Sequence, residues 1–292
     1  MVSPAPQWLI TAVRNAKKGQ GAEKIEHTRS LIEHFKLSTV CETAECPNRG
    51  ECFSNRTATF LILGDICTRG CAFCAVNRGR PLGPPDEQEP ERLAQAVIEL
   101  GLRHVVITSV TRDDLPDGGS NHYARVVEAL RLRCLNVKIE LLVPDFRGSG
   151  EVLATVLASD PDIFAHNIET VHRLYSSVRK GADYQRSITV LKKAKEISPE
   201  VITKSGMMLG LGEERQEVEE ALRDLRKTGC DMLTLGQYLS PSLSHAPVIR
   251  YVTPEEFTGW RQEALDMGFK SVAAGPLVRS SYKAPVFFKE LK

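Results

Sequence analysis

Short apolar runs alternate with amphipathic stretches along most of the chain, from residue 57 onward. The apolar runs are rich in β-branched residues and almost continuous in apolar character, which is typical of buried parallel strands. They predict strands at residues 57–63, 104–110, 137–144, 162–169, 201–210 and 231–239. The stretches between them carry apolar residues at helical spacing. They predict helices at residues 90–101, 121–133, 150–158, 184–197, 214–229 and 254–268.

Six strand–helix units in series predict an α/β fold with a parallel sheet and right-handed crossovers. Such units can curl into an open, partial (β/α)6 barrel of the TIM type, in which chemistry gathers at the loops that follow the strands. We therefore expect a barrel at residues 57–270. An N-terminal extension (1–56), with a helix at residues 23–35, and a C-terminal tail (271–292) are expected to cover the mouth of this barrel.

The net charge of the chain is close to zero, at +1. Proteins that bind nucleic acid usually carry a large excess of basic residues, so we expect no nucleic-acid partner. The sequence has no run of about 18 apolar residues that could span a membrane. Its N-terminus also lacks the pattern of a secretory signal. These observations predict a cytoplasmic protein without a membrane partner.

The eight cysteines are unevenly distributed, because six of them lie between residues 41 and 74. Cys134 and Cys230 stand alone in apolar surroundings, where cysteine packs as a small hydrophobic residue. A disulfide framework is the alternative for the other six. In a long chain without a secretory signal, however, a cysteine cluster more often binds metal.

The first cysteine group lies in "GDICTRGCAFC" (64–74), on the loop that follows the first predicted strand. Its members are Cys67, Cys71 and Cys74, in the spacing C-x3-C-x2-C. Thiolates bind zinc or iron–sulfur clusters, and a structural zinc site is closed by four ligands. No fourth cysteine or histidine follows at a suitable distance. Three thiolates on a four-iron cluster leave one iron open to another ligand.

The second cysteine group is Cys41, Cys46 and Cys52, in "CETAECPNRGECFSN" (41–55). Its spacing is C-x4-C-x5-C, again without a neighbouring fourth cysteine. A structural zinc site is the alternative interpretation, and it would need a fourth ligand from a distant part of the chain.

The C-x3-C-x2-C group, with Phe73 directly before its last cysteine, resembles the radical S-adenosylmethionine (SAM) superfamily. The resemblance implies a [4Fe–4S] cluster on Cys67, Cys71 and Cys74 whose open iron chelates the amino and carboxylate groups of SAM. An electron from this cluster then breaks the sulfonium bond and releases a 5′-deoxyadenosyl radical.

The resemblance also implies candidate contacts to SAM in the loops that follow the strands. These candidates are Phe73, Ser109, Asn167 and Glu169, and Arg112 is a further possibility beside Ser109. A structural role is the alternative for each. The motif "GLGE" (210–213) is not a dinucleotide fingerprint, which requires G-x-G-x-x-G at the start of a helix.

Both cysteine groups together are similar to those of the lipoyl synthase family. The similarity extends over about residues 35 to 285 and includes four further motifs. They are "TSVTRDDLPDGG" (108–119), "AHNIETV" (165–171), "GLGE" (210–213) and "AGPLVRSSY" (274–282).

The family resemblance implies that Cys41, Cys46 and Cys52 hold a second, auxiliary [4Fe–4S] cluster. Its fourth ligand would be the oxygen of Ser281, in the tail motif "RSSY", and Ser280 is expected to matter less. An alkoxide is a harder ligand than a thiolate and a poorer match for iron, so it can be released. Release would let a cluster sulfide attack a substrate radical, which makes Ser281 a catalytic candidate as well. An ordinary polar turn is the alternative for this motif.

The resemblance implies a function, which is insertion of two sulfur atoms at C6 and C8 of an octanoyl chain. The chain is carried on a lysine of a lipoyl carrier domain, in the E2 subunit of a 2-oxoacid dehydrogenase or in the glycine cleavage H protein. An electron donor such as ferredoxin or flavodoxin is also implied. Three alternatives remain: a radical enzyme whose auxiliary cluster relays electrons, a sulfur-inserting enzyme of the biotin synthase kind, and a non-enzymatic iron–sulfur carrier.

Overall fold

A computed structural model describes residues 4–289 of the chain. The N-terminal region contains four helices and a short strand: α1 (Gln7–Lys18), α2 (Ala22–His34), β1 (Ser38–Thr39), α3 (Val40–Thr43) and α4 (Arg49–Ser54). The next region alternates strands with helices: β2 (Thr59–Ile62), β3 (Ile66–Cys67), β4 (Asn77–Arg78), α5 (Glu89–Leu100), β5 (His104–Ser109), α6 (Ser120–Arg133), β6 (Lys138–Leu142), α7 (Gly150–Ala158) and β7 (Ile163–Ala165). The last region continues the alternation: α8 (Tyr175–Val178), α9 (Tyr184–Ile197), β8 (Ile202–Leu209), α10 (Arg215–Lys227), β9 (Met232–Gln237), α11 (Pro254–Asp266), β10 (Ser271–Gly275) and α12 (Ala284–Lys289).

The main sheet consists of β1, β2 and β5 to β10, and its strands stand in the order in which the chain forms them. Strand β1 is antiparallel to β2. The pairs β2–β5, β5–β6, β8–β9 and β9–β10 are parallel. This order is the outcome expected for repeated strand–helix units. Two short strands, β3 and β4, form a separate parallel pair, in which Cys67 is paired with Arg78.

The chain divides into two compact units. The first unit comprises Val13–Arg69 and Ala75–Phe164, and the second comprises the described residues of Met1–Ala12, Gly70–Cys74 and Ala165–Lys292. In the first unit, Phe60 pairs with Ile107 and Ile107 pairs with Leu141, across β2, β5 and β6. All three side chains are almost fully buried.

The second unit has its core between strands β8, β9 and β10 and helices α9, α10 and α11. Helix α11 begins where the sequence signals a start: Thr253 and Glu256 form a reciprocal capping box, with Pro254 at the first position. Such a box satisfies backbone N–H groups that have no partner inside the helix. Leu233 of β9 and Trp260 of α11 belong to the same apolar core.

Asp231 fixes the start of strand β9 in the second unit. Its side chain is almost fully buried, and it accepts a hydrogen bond from the backbone N–H of Thr203. It also forms ion pairs with Lys195 at 2.7 Å and Lys270 at 2.8 Å. Burial alone would raise the pKa of Asp231, but these hydrogen bonds outweigh it and hold the pKa below its ordinary value.

The predicted strand–helix alternation is confirmed, with two differences. Residues 271–275 were expected in the C-terminal tail but form β10, parallel to β9, so the series of parallel strands is longer by one. The five residues are small and give a weak strand signal, and packing against β9 and α11 makes them a strand. The fourth predicted strand, at residues 162–169, is shortened to β7 (Ile163–Ala165), and Glu169, four residues after its end, has a left-handed φ of 65°.

Helix α1 is a further element that the pattern analysis did not predict. Within residues 4–289, no helix combines the length and the apolar character that are needed to cross a membrane. The functional division of the chain at residues 56 and 270 stays a prediction.

Candidate active site

Cys67 lies at the end of strand β3, in the first unit. Its sulfur accepts hydrogen bonds from the backbone N–H groups of Arg69 and Thr111, each at 3.4 Å. Its own carbonyl oxygen accepts a bond from the N–H of Gly79 at 2.9 Å. Backbone N–H donors stabilise a thiolate, and hydrogen bonds to sulfur help to set the potential of an iron–sulfur cluster. The surroundings of Cys67 are therefore compatible with a cluster ligand.

Arg69, two residues after Cys67, is fixed by two carboxylates of the first unit. Its guanidinium donates to both oxygens of Asp113, at 2.8 and 2.9 Å, and to both oxygens of Asp145, at 2.9 and 2.7 Å. The side chain of Arg69 is 8% exposed and that of Asp145 is fully buried. Burial opposes the charge, but the hydrogen bonds of both aspartates raise the pKa of Arg69, so it stays protonated.

Thr68 adds a second connection between the cysteine loop and the segment after β5. Its hydroxyl donates to the carbonyl oxygen of Thr111 at 2.9 Å and accepts a bond from the N–H of Asp113 at 3.0 Å. The motif "TSVTRDDLPDGG" thus supplies backbone and carboxylate partners for the cysteine loop. The sequence analysis missed this role of Arg69, Asp113 and Asp145.

Two candidates from the same motif have different surroundings. Arg112 is 3% exposed and donates to Asp114 and to the carbonyl oxygens of Leu63 and Gly83, which is the pattern of a structural arginine. Ser109 is the last residue of β5 and remains partly exposed. Its contact to SAM stays a prediction.

The segment with Cys71 and Cys74 belongs to the second unit and is held there by backbone contacts. The N–H of Ala72 donates to the carbonyl of Val178, and its carbonyl accepts from the N–H of Ala246, both at 2.8 Å. The imidazole of His245 lies 3.2 Å, Nε2 to O, from the carbonyl of Cys74. The segment is therefore held at Ala72 and at Cys74.

Phe73, the aromatic residue of the motif, packs in the same unit against an apolar cluster. The cluster comprises Val178, Leu211, Tyr238 and Val248. This packing anchors the segment between Cys71 and Cys74. A direct contact of Phe73 with SAM stays a prediction.

Asn167 and Glu169 follow strand β7 and are joined by a hydrogen bond. Asn167 Nδ2 donates to Glu169 Oε1 at 3.1 Å, and Asn167 Oδ1 accepts a bond from the hydroxyl of Ser280 at 3.1 Å. Burial raises the pKa of Glu169, whereas Arg179 and the bond from Asn167 oppose the shift. The structure thus brings together two predicted SAM contacts and the first serine of the tail motif.

Arg179 is a candidate that the sequence analysis missed, because no motif marks it. Its guanidinium donates to the hydroxyls of Tyr175 at 2.9 Å and Ser187 at 3.0 Å. Although burial opposes the charge, Tyr175, Glu169 and Cys71 act on Arg179 electrostatically and raise its pKa. A cation within electrostatic reach of Cys71 favours the thiolate form of that cysteine.

Two glycines make room for the residues of this part of the second unit. A Cβ at Gly206 would lie 2.8 Å from Asn167 Oδ1, and one at Gly236 would lie 2.1 Å from the carbonyl oxygen of Val278. Both distances are too short for a side chain. Asn167 and the tail can approach strands β8 and β9 only because these positions lack a Cβ.

The auxiliary cysteines Cys41, Cys46 and Cys52 lie together in the first unit. Cys41 belongs to α3 and is buried, Cys52 belongs to α4, and the N–H of Cys46 donates to the carbonyl of Cys41 at 3.2 Å. Burial raises the pKa of the Cys41 thiol to about 12, and Cys46 and Cys52 add to the rise. The three thiols therefore lie within electrostatic reach of one another.

The donor set of these three cysteines is compatible with an iron–sulfur cluster. Within residues 4–289, no group of three or more His, Cys, Asp or Glu side chains is arranged to hold a single metal ion. A four-iron cluster is larger than one ion and binds thiolates at separate corners. Ser281 lies in the second unit, so its proximity to Cys41, Cys46 and Cys52 stays a prediction.

The comparisons with known proteins agree with this chemistry. The model of the radical SAM superfamily matches residues 61–225. The lipoyl synthase of Caldanaerobacter subterraneus subsp. tengcongensis is 52% identical over 281 residues, which cover 96% of each chain. The lipoyl synthase of Nitrosococcus oceani is 56% identical over 280 residues, which cover 96% of this chain and 84% of the relative. The chain belongs to the lipoyl synthase family.

A solved structure confirms the fold of this lipoyl synthase family member. HydG, a maturase of the [FeFe]-hydrogenase, superimposes with a TM-score of 0.58 at 14% identity, covering 98% of this chain and 70% of HydG. At this identity the likeness concerns the fold alone. The predicted α/β fold of the partial-barrel type is thereby confirmed.

Membership of the lipoyl synthase family makes the chain a radical SAM enzyme that inserts sulfur. It also implies one [4Fe–4S] cluster and SAM as cofactors. The hydrogen bonds at the sulfur of Cys67 and the cation near Cys71 are compatible with such a cluster.

Proposed function

We propose that the chain makes lipoyl groups by inserting sulfur at C6 and C8 of an octanoyl chain, which is carried on a lysine of a lipoyl carrier domain. The observation that carries the proposal is the presence of two separate cysteine trios in a chain about half identical to lipoyl synthases. Carriers of the E2 and H-protein kinds, and an electron donor such as ferredoxin or flavodoxin, would complete the reaction.

Cys67, Cys71 and Cys74 would hold the cluster that binds SAM, and Cys41, Cys46 and Cys52 would hold an auxiliary [4Fe–4S] cluster. When bound, the clusters and SAM would supply homolytic cleavage of an unactivated C–H bond and the sulfide that is inserted. Amino-acid side chains can supply neither. The residues of the chain bind and orient these groups and exclude water.

Several residues would orient the groups around the first trio. The N–H groups of Arg69 and Thr111 donate to the sulfur of Cys67 and would orient it toward the cluster. Arg179 would favour the thiolate of Cys71. Asn167 and Glu169, which together offer amide and carboxylate groups, would take polar groups of SAM. Phe73 would keep the loop seated on its apolar cluster.

Ser281 would be the fourth ligand of the auxiliary cluster. Its oxygen is a harder donor than cysteine sulfur and therefore a ligand that iron releases more readily. Ser281→Ala should impair sulfur insertion. Ser281→Cys should retain the auxiliary cluster more firmly and slow the reaction, because the thiolate is the softer match. Full activity in Ser281→Ala would contradict the assignment.

The decisive experiment is anaerobic turnover with an octanoyl-lysyl peptide, SAM and a strong reductant. The product should gain two sulfur atoms as the dithiol, and should lose two hydrogens on oxidation to the cyclic disulfide, as mass spectrometry would show. Reconstituted protein should contain roughly eight irons and eight sulfides per chain, as two four-iron clusters require. One zinc per chain without sulfide would exclude the proposal.

Two triple variants separate the roles of the cysteine trios. Replacing Cys67, Cys71 and Cys74 with alanine should abolish reductive cleavage of SAM. Replacing Cys41, Cys46 and Cys52 should leave this cleavage measurable but remove sulfur insertion. Lipoyl product from the second variant would show that the auxiliary cluster is not the sulfur donor and would favour a role in electron relay.

A further inference from the structure

Ser280, in the tail motif, is linked to the candidate SAM contacts by a series of hydrogen bonds. Its hydroxyl donates to Asn167 Oδ1 at 3.1 Å, and Asn167 Nδ2 donates to Glu169 Oε1 at 3.1 Å. The amide of Asn167 therefore has one partner in the tail and one beside it in the loop after β7. The tail and the loop are 113 residues apart in sequence.

The loop end of this series is held rigidly. Glu169 has a left-handed φ of 65°, which is a strained conformation for a residue other than glycine. Its N–H donates to the carbonyl of Gly206 at 3.0 Å, and its carbonyl accepts from the N–H of Met208 at 2.8 Å. Gly206 also leaves room for Asn167 Oδ1. The backbone of the loop is fixed, so the bond from Ser280 contributes to the orientation of the Asn167 side chain.

The tail end of the series is held through its backbone. The carbonyl of Val278 lies against Gly236, where a Cβ would be only 2.1 Å away. The N–H of Val278 donates to the carbonyl of Gly275, and the N–H of Tyr282 donates to that of Arg279. Ser280 lies inside the turn that the second bond closes, so a tail that packs on β9 places the Ser280 hydroxyl next to Asn167.

We propose that Ser280 is a positioning residue that couples the seating of the tail to the binding of SAM through Asn167. The inference rests on the proposed function, in which Asn167 and Glu169 contact SAM and the neighbouring Ser281 binds the auxiliary cluster. A change at Ser281 moves the backbone of Ser280 and removes a restraint on Asn167. By reciprocity, bound SAM stabilises the seated tail.

The test compares Ser280→Ala with Ser280→Thr, which keeps the hydroxyl, in the cluster-loaded protein. Thr258→Ala is the matched control, because its hydroxyl is exposed on α11 and donates to a backbone carbonyl. The first measurement is equilibrium binding of SAM under anaerobic conditions. Ser280→Ala should weaken binding roughly three- to tenfold, the effect of one neutral hydrogen bond. Ser280→Thr should restore most of the affinity, and Thr258→Ala should not change it.

The second measurement is limited trypsin digestion after Arg279 and Lys283, with and without SAM. SAM should slow cleavage of the tail in the wild-type protein and should slow it less in Ser280→Ala. The iron and sulfide content of each variant must match that of the wild type. A double-mutant cycle should show that Ser280→Ala has no further effect on SAM affinity once Asn167 is replaced by alanine.

Wild-type SAM affinity in Ser280→Ala, or equal protection of the tail by SAM in both proteins, would overturn the inference. A loss of thermal stability in Ser280→Ala with wild-type SAM affinity would indicate a structural role only. Neither the measurement of SAM binding nor that of tail proteolysis depends on the formation of lipoyl product. A wild-type enzyme that binds SAM but leaves the octanoyl peptide unchanged would therefore refute the proposed function and leave the coupling to be judged on its own measurements.

Discussion

Arg69 offers a direct test of how the cysteine loop is held in the first unit. The change Arg69→Lys keeps the positive charge but removes the planar guanidinium, which contacts Asp113 and Asp145 through four N–H···O bonds of 2.7–2.9 Å. An ammonium group cannot reproduce a fork that contacts two carboxylates bidentately. The variant should therefore destabilise the first unit and loosen the loop around Cys67.

The expected magnitude follows from burial. A hydrogen bond to a charged group contributes about 1.5–3 kcal/mol, and removing one partner of a buried ion pair costs about 3–5 kcal/mol. Because lysine keeps the charge and one or two contacts, we expect Arg69→Lys to lower the free energy of unfolding by about 2–4 kcal/mol. With a urea dependence of about 3 kcal/mol per molar, the midpoint should fall by roughly 1 M.

The assay is urea unfolding of the cluster-loaded protein under anaerobic conditions, followed by circular dichroism. Arg147→Lys is the matched control, because Arg147 contacts the same Asp113 at 3.4 Å but is 68% exposed. An exposed ion pair contributes about 0–1 kcal/mol, so its midpoint should hardly change. Equal shifts for the two variants would show that the buried network does not fix the loop.

Other expectations concern the second unit. Gly236→Ala should collide with the carbonyl of Val278 and cost about 1–3 kcal/mol of stability. It should also speed trypsin cleavage after Arg279, whereas Gly259→Ala, which meets no neighbour on α11, should be neutral or slightly stabilising. Asp231→Asn should lower the free energy of unfolding at pH 7 by about 2–3 kcal/mol, because charge-assisted hydrogen bonds are lost. The lowered pKa of Asp231 stabilises the fold above the ordinary aspartate pKa of about 4, and this contribution is lost as the pH falls through the lowered value. Urea unfolding at pH 7, 5, 4 and 3 should therefore show a shallower decline for Asp231→Asn, and parallel declines would contradict this reasoning.

The strand–helix alternation could be predicted from sequence because each element carries its own signal. A run such as "HVVITSV" (104–110) consists mostly of β-branched residues, which is typical of a strand. The helices carry apolar residues three or four positions apart, which is the spacing of one helix face. The cysteine trios are also local patterns. Strand β10 was missed because "SVAAG" consists mostly of small residues, and its strand character comes from pairing with β9.

The contacts that orient the candidate site could not be predicted, because they join distant positions. Arg69 is 44 residues from Asp113 and 76 residues from Asp145. Ser280 was expected to matter less than Ser281, and only the folded chain shows its bond to Asn167. Arg179 reaches Glu169 and Cys71 from a helix end that no motif marks. Such contacts depend on tertiary packing, which local sequence patterns do not reveal.

The glycine at position 236 has a consequence for engineering. A glycine inside a strand weakens the strand, yet here it lets the carbonyl of Val278 approach β9. The place of the tail is therefore determined by the barrel as well as by the "RSSY" motif itself. Grafting the tail of one family member onto the barrel of another requires a residue without a side chain at the position of Gly236. A chimera with a larger residue there would keep the serines of the motif but present them in the wrong place.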